Sequence, residues 1–140
     1  MVTDSIWKER YEDINAFERY LCRNGVAVRK FYLHMSRKEQ KKRFMKRLDE
    51  PEKNWKFSSA DAKERQHWDS YMEAYEDLLR HTSTEHAPWY VVPANNKWFT
   101  RMVVADAVID ALQGLDLHFP KLDAGKKKEL QLARALLESE

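Results

Sequence analysis

Arg43 and Arg47 stand four residues apart in "RFMKRLDEPEKNWKFS" (43–58), a spacing that puts two guanidinium groups on one face of a helix. Each is a planar fork of N–H donors suited to phosphate oxygens. Lys53 and Lys56 flank Trp55 just beyond Pro51 and add two point charges from the following turn. From Arg37 to Lys56 nine basic residues stand against four acidic ones; from Asp61 to Arg80 six acidic residues stand against three basic. The whole chain carries a formal charge of only +2, so it is the segregation of charge that points to an anionic ligand. An ordinary solvated helix with i, i+4 ion pairs gives the same run. A helix–turn–helix that binds DNA is a further reading, weakened because the acidic second helix would face phosphates.

A second constellation lies in "TSTEHAPWYVVPANNKWFTR" (82–101). Thr82, Ser83 and Thr84 precede an expected strand, and Lys97 and Arg101 sit four apart on the helix after it. Ligands of open α/β sheets bind beyond the carboxyl ends of strands, where residues 93–97 would fall. A capped helix with surface bases reads the same way. The five histidines (His34, His67, His81, His86, His118) lack zinc spacing, so no metal ligands are expected. The single cysteine, Cys22, allows no internal disulfide. No Ser-His-Asp or Cys-His arrangement can be argued.

These residues need elements to hold them, and the 140-residue length suits one domain. A mean hydropathy of −0.80 describes a very polar chain, yet six Phe, six Tyr and five Trp argue against disorder. Apolar residues at helical spacing (Ile6, Tyr11, Ile14, Phe17, Leu21) predict a helix over 4–23, ended by Asn24-Gly25. "VAVRKFYL" (26–33) reads as a strand. Ser36 with Glu39 three residues on is a capping box opening a helix to about Leu48, which Pro51 ends. Ser58 or Ser59 caps one long helix to about Arg80. "WYVV" (89–92) is a second strand. A helix over 98–115 directs Phe99, Met102, Val103, Ala107 and Val108 to a core; a linker over 116–124 and a terminal helix over 124–140 follow. Trp7, Trp68, Trp89 and Trp98 read as core or seam residues. Helices alternating with strands imply a parallel sheet. Two strands alone make a poor sheet with unprotected edges, so the pattern is that of part of an α/β domain.

The segments "IWKERYEDINAFERYL", "FYLHMSRKEQKKRFMKRLDEPEKNWKFSSADAKERQHWDSYMEAYEDLL" and "TSTEHAPWYVVPANNKWFTRMVVADAVIDAL" closely resemble the C-terminal half of the polyphosphate kinase 2 family. The likeness is greatest to the subgroup that accepts both nucleoside mono- and diphosphates (class III), and runs from about Ile6 to Pro120. It implies a thymidylate-kinase-like P-loop α/β fold with a helical lid. It also implies a magnesium-dependent transfer of phosphate between inorganic polyphosphate and nucleotides of the AMP/ADP/ATP class. Residues 1–120 would be the C-terminal part of that domain, 36–80 its lid, and 121–140 a helical extension. Arg43 and Arg47 would be the catalytic lid arginines, with Lys53, Lys56, Lys97 and Arg101 binding polyphosphate or nucleotide phosphates.

Departures from the family pattern shape the expectation. Kinases of this kind use a loop G-x-x-x-x-G-K-[ST]. Of Gly25, Gly114 and Gly125, only Gly125-Lys126 resembles its end, but Lys127 replaces the hydroxyl residue and Pro120 the first glycine. The Walker-B-like segment is also absent, so magnesium ligands are not expected in this chain. Asn95 stands where the family usually has aspartate. The expectation is therefore a truncated, lid-bearing half that is inactive alone. The alternative is a non-catalytic polyphosphate-binding or subunit-pairing protein, as a homo-oligomer or with a full-length homologue. No apolar run approaches the ~20 residues of a membrane span, and Met1-Val-Thr-Asp does not open a signal peptide. A cytoplasmic protein without membrane or nucleic-acid partners is expected.

Overall fold

The computed structural model describes residues 5–139. The order is α1 (Ser5–Arg23), β1 (Lys30–His34), α2 (Arg37–Asp49), a 3-10 turn (Pro51–Lys56), α3 (Ser59–Glu64), a second 3-10 turn (Arg65–His67), α4 (Trp68–Thr82), β2 (Trp89–Pro93), α5 (Lys97–Gly114) and α6 (Ala124–Glu138). The expected outer limits of the first and last helices, residues 4 and 140, lie outside the described residues.

β1 and β2 pair in parallel, from Lys30 opposite Trp89 to His34 opposite Pro93. The mostly helical α/β class read from the sequence is thus the fold. Among the described residues the sheet has these two strands alone. β1 begins four residues later than its β-branched run suggests. Gly25, at φ +84°, ends α1 with Gly25 N donating to Cys22 O and Val26 N to Leu21 O, the paired bonds of a Schellman close. That closure ties up Val26, and the ladder starts only where Lys30 N reaches Pro88 O.

The buried apolar residues are Ala87, Val92, Ala94 and Ala107, all on β2, its flanks or the helix after it. α5 packs against β2 and α1 against α4. Of the face of α5 expected in a core, Ala107 is buried, Phe99 and Val103 are half-buried, and Met102 and Val108 are exposed. Trp7 and Trp98 are exposed too. A two-stranded sheet offers too little surface to cover a whole helix face. α6 opens on Asp123, whose Oδ1 accepts from Lys126 N at 2.7 Å. The Gly125-Lys126 pair is therefore an acid-capped helix start.

One buried knot joins four elements. Lys30 Nζ of β1 donates to Glu18 Oε2 of α1 and to Thr82 O of α4, both at 2.6 Å. Trp89 Nε1 of β2 donates to Thr82 Oγ1 at 2.9 Å. Lys30 and Glu18 side chains are each 11% exposed, and the polar atoms around them supply the partners that a buried ion pair requires.

Candidate functional site

A cavity of about 470 Å³ opens beside β1, walled by α2 on one side and by α3, the 65–67 turn and α4 on the other. α2 contributes Gln40, Arg43, Phe44 and Arg47, an i, i+3, i+4, i+7 stripe that one helix face presents together. The facing wall supplies Asp61, Glu64, Arg65, Trp68 and Tyr71. Two arginines of α2 therefore face a wall of two aromatics, two carboxylates and a third arginine.

The two expected catalytic arginines share this cavity but are held differently. Arg43 Nε donates to Glu39 Oε1 at 2.9 Å, and its Nη2 donates to Ala94 O at 2.7 Å and Asn95 O at 3.1 Å. Arg47 lies over the Phe44 ring, 5.5 Å from its centroid, and among the described residues has no carboxylate partner. Phe44 is in turn fixed edge-on by Phe57 at 5.8 Å. The other four expected residues do not line the cavity. Lys53 pairs with Glu50, and Lys56 lies 4.9 Å over the ring of the exposed Trp55. Lys97 and Arg101 are exposed on α5, with no ion pair among the described residues.

The expected capping box at Ser36 forms only in part. Ser36 Oγ accepts from Glu39 N at 3.2 Å, but Ser36 N donates to Asn95 Oδ1 at 3.0 Å. Glu39 is thereby left to Arg43. At Ser58 the reciprocal box with Asp61 is complete. The long helix expected after it is broken at 65–67, where Arg65 Nη1 donates to Arg37 O at 3.1 Å and Gln40 Oε1 at 2.5 Å. Thr82, Ser83 and Thr84 serve the fold: Thr82 is fully buried, Ser83 Oγ accepts from Trp89 N at 3.4 Å, and Thr84 Oγ1 meets His86 Nε2 at 3.3 Å.

Sequence reasoning missed Gln40, Arg65, Trp68 and Tyr71. The i, i+3, i+7 relation of Gln40 to Arg43 and Arg47 could have found the first, whereas Arg65 sits in an acidic segment without a local signal. Tyr71 OH donates to Glu64 Oε2 at 2.7 Å, and that bond raises the phenol's pKa. Burial, then the neighbouring Tyr75, raises that of Tyr32. Both phenol protons are already committed, that of Tyr71 to Glu64 and that of Tyr32 to Met72 Sδ at 3.6 Å.

Magnesium, implied by the family resemblance, does not fit here. No cluster of three or more metal-ligating side chains occurs among the described residues. The cavity's two carboxylates already accept bonds, Asp61 from Ser58 N and Glu64 from Tyr71. No helix among the described residues is long and apolar enough to cross a membrane.

The chain matches the family model described as "Polyphosphate kinase 2" over residues 1–120. It is 47% identical over 134 residues to an ADP-polyphosphate phosphotransferase of Rhodopseudomonas palustris, covering 95% of this chain and 46% of that protein. It is 54% identical over 135 residues to a protein of Leptolyngbya boryana described as an uncharacterized protein in the chlN 3′ region, covering 96% and 99%. The crystal structure of a polyphosphate kinase 2 from Arthrobacter aurescens superposes with a TM-score of 0.85 at 44% identity, over 94% of this chain and 47% of that one. The chain thus spans about half the length of the phosphotransferase and of the crystallised kinase, and nearly all of the Leptolyngbya relative.

Proposed function

The chain belongs to the polyphosphate kinase 2 family, and on that premise we propose that it is the lid-bearing half of a polyphosphate:nucleotide phosphotransferase. Residues 36–80 act as the lid over inorganic polyphosphate and a nucleoside mono- or diphosphate. The observation that carries this reading is the cavity wall on which Arg43 and Arg47 stand together beside β1.

Phosphoryl transfer asks a protein chiefly for positioning and for stabilisation of charge on the equatorial oxygens. Arg47 is a cation this chain can offer for that purpose, held by Phe44 and, among the described residues, not neutralised by a carboxylate. Closing such a lid excludes water, which strengthens the guanidinium–phosphate attraction and suppresses hydrolysis. Lys53, Lys56, Lys97 and Arg101 act farther out, drawing a polyanion toward the site through a field that salt screens. The phosphate-cradling loop and magnesium ligands come from a partner segment, and without them the chain binds polyphosphate but transfers nothing.

Pairing with such a segment is favoured by the two-stranded sheet, whose outer edges have no strand partner among the described residues. A purely non-catalytic, polyphosphate-binding or subunit-pairing role is the second reading. The test is binding of long-chain polyphosphate to the purified chain, with ATP formation from ADP, magnesium and polyphosphate measured alongside. Salt-sensitive binding weakened by Arg47→Ala supports the reading. No binding at low salt sinks it, and transfer by the chain alone would overturn the assignment of chemistry to a partner segment.

A further inference from the structure

We propose that Arg43 is a positioning residue which, with Asn95, latches the root of the lid to the turn after β2 and leaves Arg47 as the lid's phosphate-facing guanidinium. The last clause rests on the function proposed above; the latch itself rests on geometry alone.

The sheet ends at His34 opposite Pro93, and one further backbone bond, Ala94 N to His34 O at 2.8 Å, carries the pairing past it. Two side-chain links begin there. Asn95 Oδ1 accepts from Ser36 N at the first turn of α2. Two turns along that helix, Arg43 Nη2 reaches back to Ala94 O and Asn95 O. Ala94 is 4% exposed, so its carbonyl is presented by backbone that is itself fixed. α2 is thus pinned at two points to one turn more than fifty residues away in the chain.

The two links depend on each other through Glu39. In a complete capping box the Glu39 carboxylate would accept from Ser36 N. Asn95 accepts that bond instead, and Glu39 holds Arg43 Nε at 2.9 Å. Three of the five guanidinium donors of Arg43 are used this way, which leaves only Nη1 without a partner among the described contacts. A planar fork spans a carboxylate on its own helix and two carbonyls of another segment, whereas a lysine ammonium, a single point of donation, does not. Asn95 needs only an acceptor oxygen, which aspartate also has.

The experiment is amide hydrogen exchange on the full chain, without ligand, in wild type, Arg43→Ala, Arg43→Lys, Arg47→Ala, Asn95→Ala and Asn95→Asp. Exchange at the bonded amides of Ser36, Glu39 and Gln40 should rise roughly tenfold in Arg43→Ala, Arg43→Lys and Asn95→Ala. The Arg43→Ala/Asn95→Ala double variant should rise less than the product of the two, while Arg47→Ala and Asn95→Asp should match wild type. Wild-type protection in Arg43→Lys, or equal loss in Arg47→Ala, overturns the latch. If Arg43→Ala does not fold, Arg43→Lys and the Asn95 pair carry the comparison. Long-chain polyphosphate then separates the two arginines. Arg47→Ala should lower the slope of log Kd against log salt by about one, and Arg43→Ala should weaken binding at unchanged slope. A slope loss in Arg43→Ala would make Arg43 a phosphate contact. If wild type does not bind, the functional reading fails while the exchange result still decides the latch.

Discussion

Lys30 and Lys53 each face a glutamate, yet the two pairs do opposite things. Lys30 and Glu18 are 11% exposed, and the ammonium also satisfies Thr82 O. Lys53 and Glu50 are 37% and 30% exposed, on a turn that also carries the exposed Trp55 with Lys56 over its ring. One region uses charge to hold the chain together; the other displays it to solvent. Residue type does not separate these duties, whereas the number of fixed partners around each cation does.

The sharpest way to break the comparison is at Lys30. Lys30→Ala leaves the buried Glu18 without its partner, which costs about 3–5 kcal/mol for a pair of this kind. Thermal unfolding should show a large drop in Tm, whereas Lys53→Ala should stay near wild type, because exposed pairs contribute about 0–1 kcal/mol. Equal effects would erase the distinction. Next in size is Trp89→Phe, which keeps the ring over Lys30 but removes the Nε1 donor to Thr82 Oγ1. A loss of about 1 kcal/mol is expected in chemical denaturation, the usual net worth of one such bond.

The difference also explains what the sequence made legible. Caps and alternation are local, so Ser36, Ser58, the Gly25 stop and the two parallel strands could be read directly. The break at 65–67 could not, because no glycine or proline marks it. Arg65 is held there by Arg37 and Gln40, 28 and 25 residues away. The pairing of Arg43 with Arg47 on one face was likewise visible, but not that the former reaches Ala94 and Asn95. Lys30 read as an ordinary strand residue because its partners come from three other elements. The exposed side of α5 could not be foreseen either, since helical periodicity marks an apolar face without stating what covers it.

Among the displayed charges, the proposed lid sharpens the comparison further. Arg47→Ala should weaken polyphosphate binding more than Lys53→Ala or Lys56→Ala, each of which should stay within about twofold, as peripheral charges screened by salt do. Isothermal titration at two salt concentrations decides this. An equal loss from all three would mean that the turn, and not the cavity wall, grips the anion.

The smallest effect expected is one of pH. The hydrogen bond from Lys53, helped by the charge of Lys46, holds the Glu50 carboxyl below its ordinary 4.5. A depressed folded-state pKa stabilises the turn above the ordinary value, and that contribution disappears as pH falls through the lowered one. Trp55 stands on the same turn, with Nε1 donating to Glu52 O at 3.0 Å, so its fluorescence reports the local change. A transition should appear below pH 4.5 in wild type and vanish in Glu50→Gln. A transition that survives Glu50→Gln would assign the acid sensitivity to another carboxylate and detach the turn's stability from its ion pair.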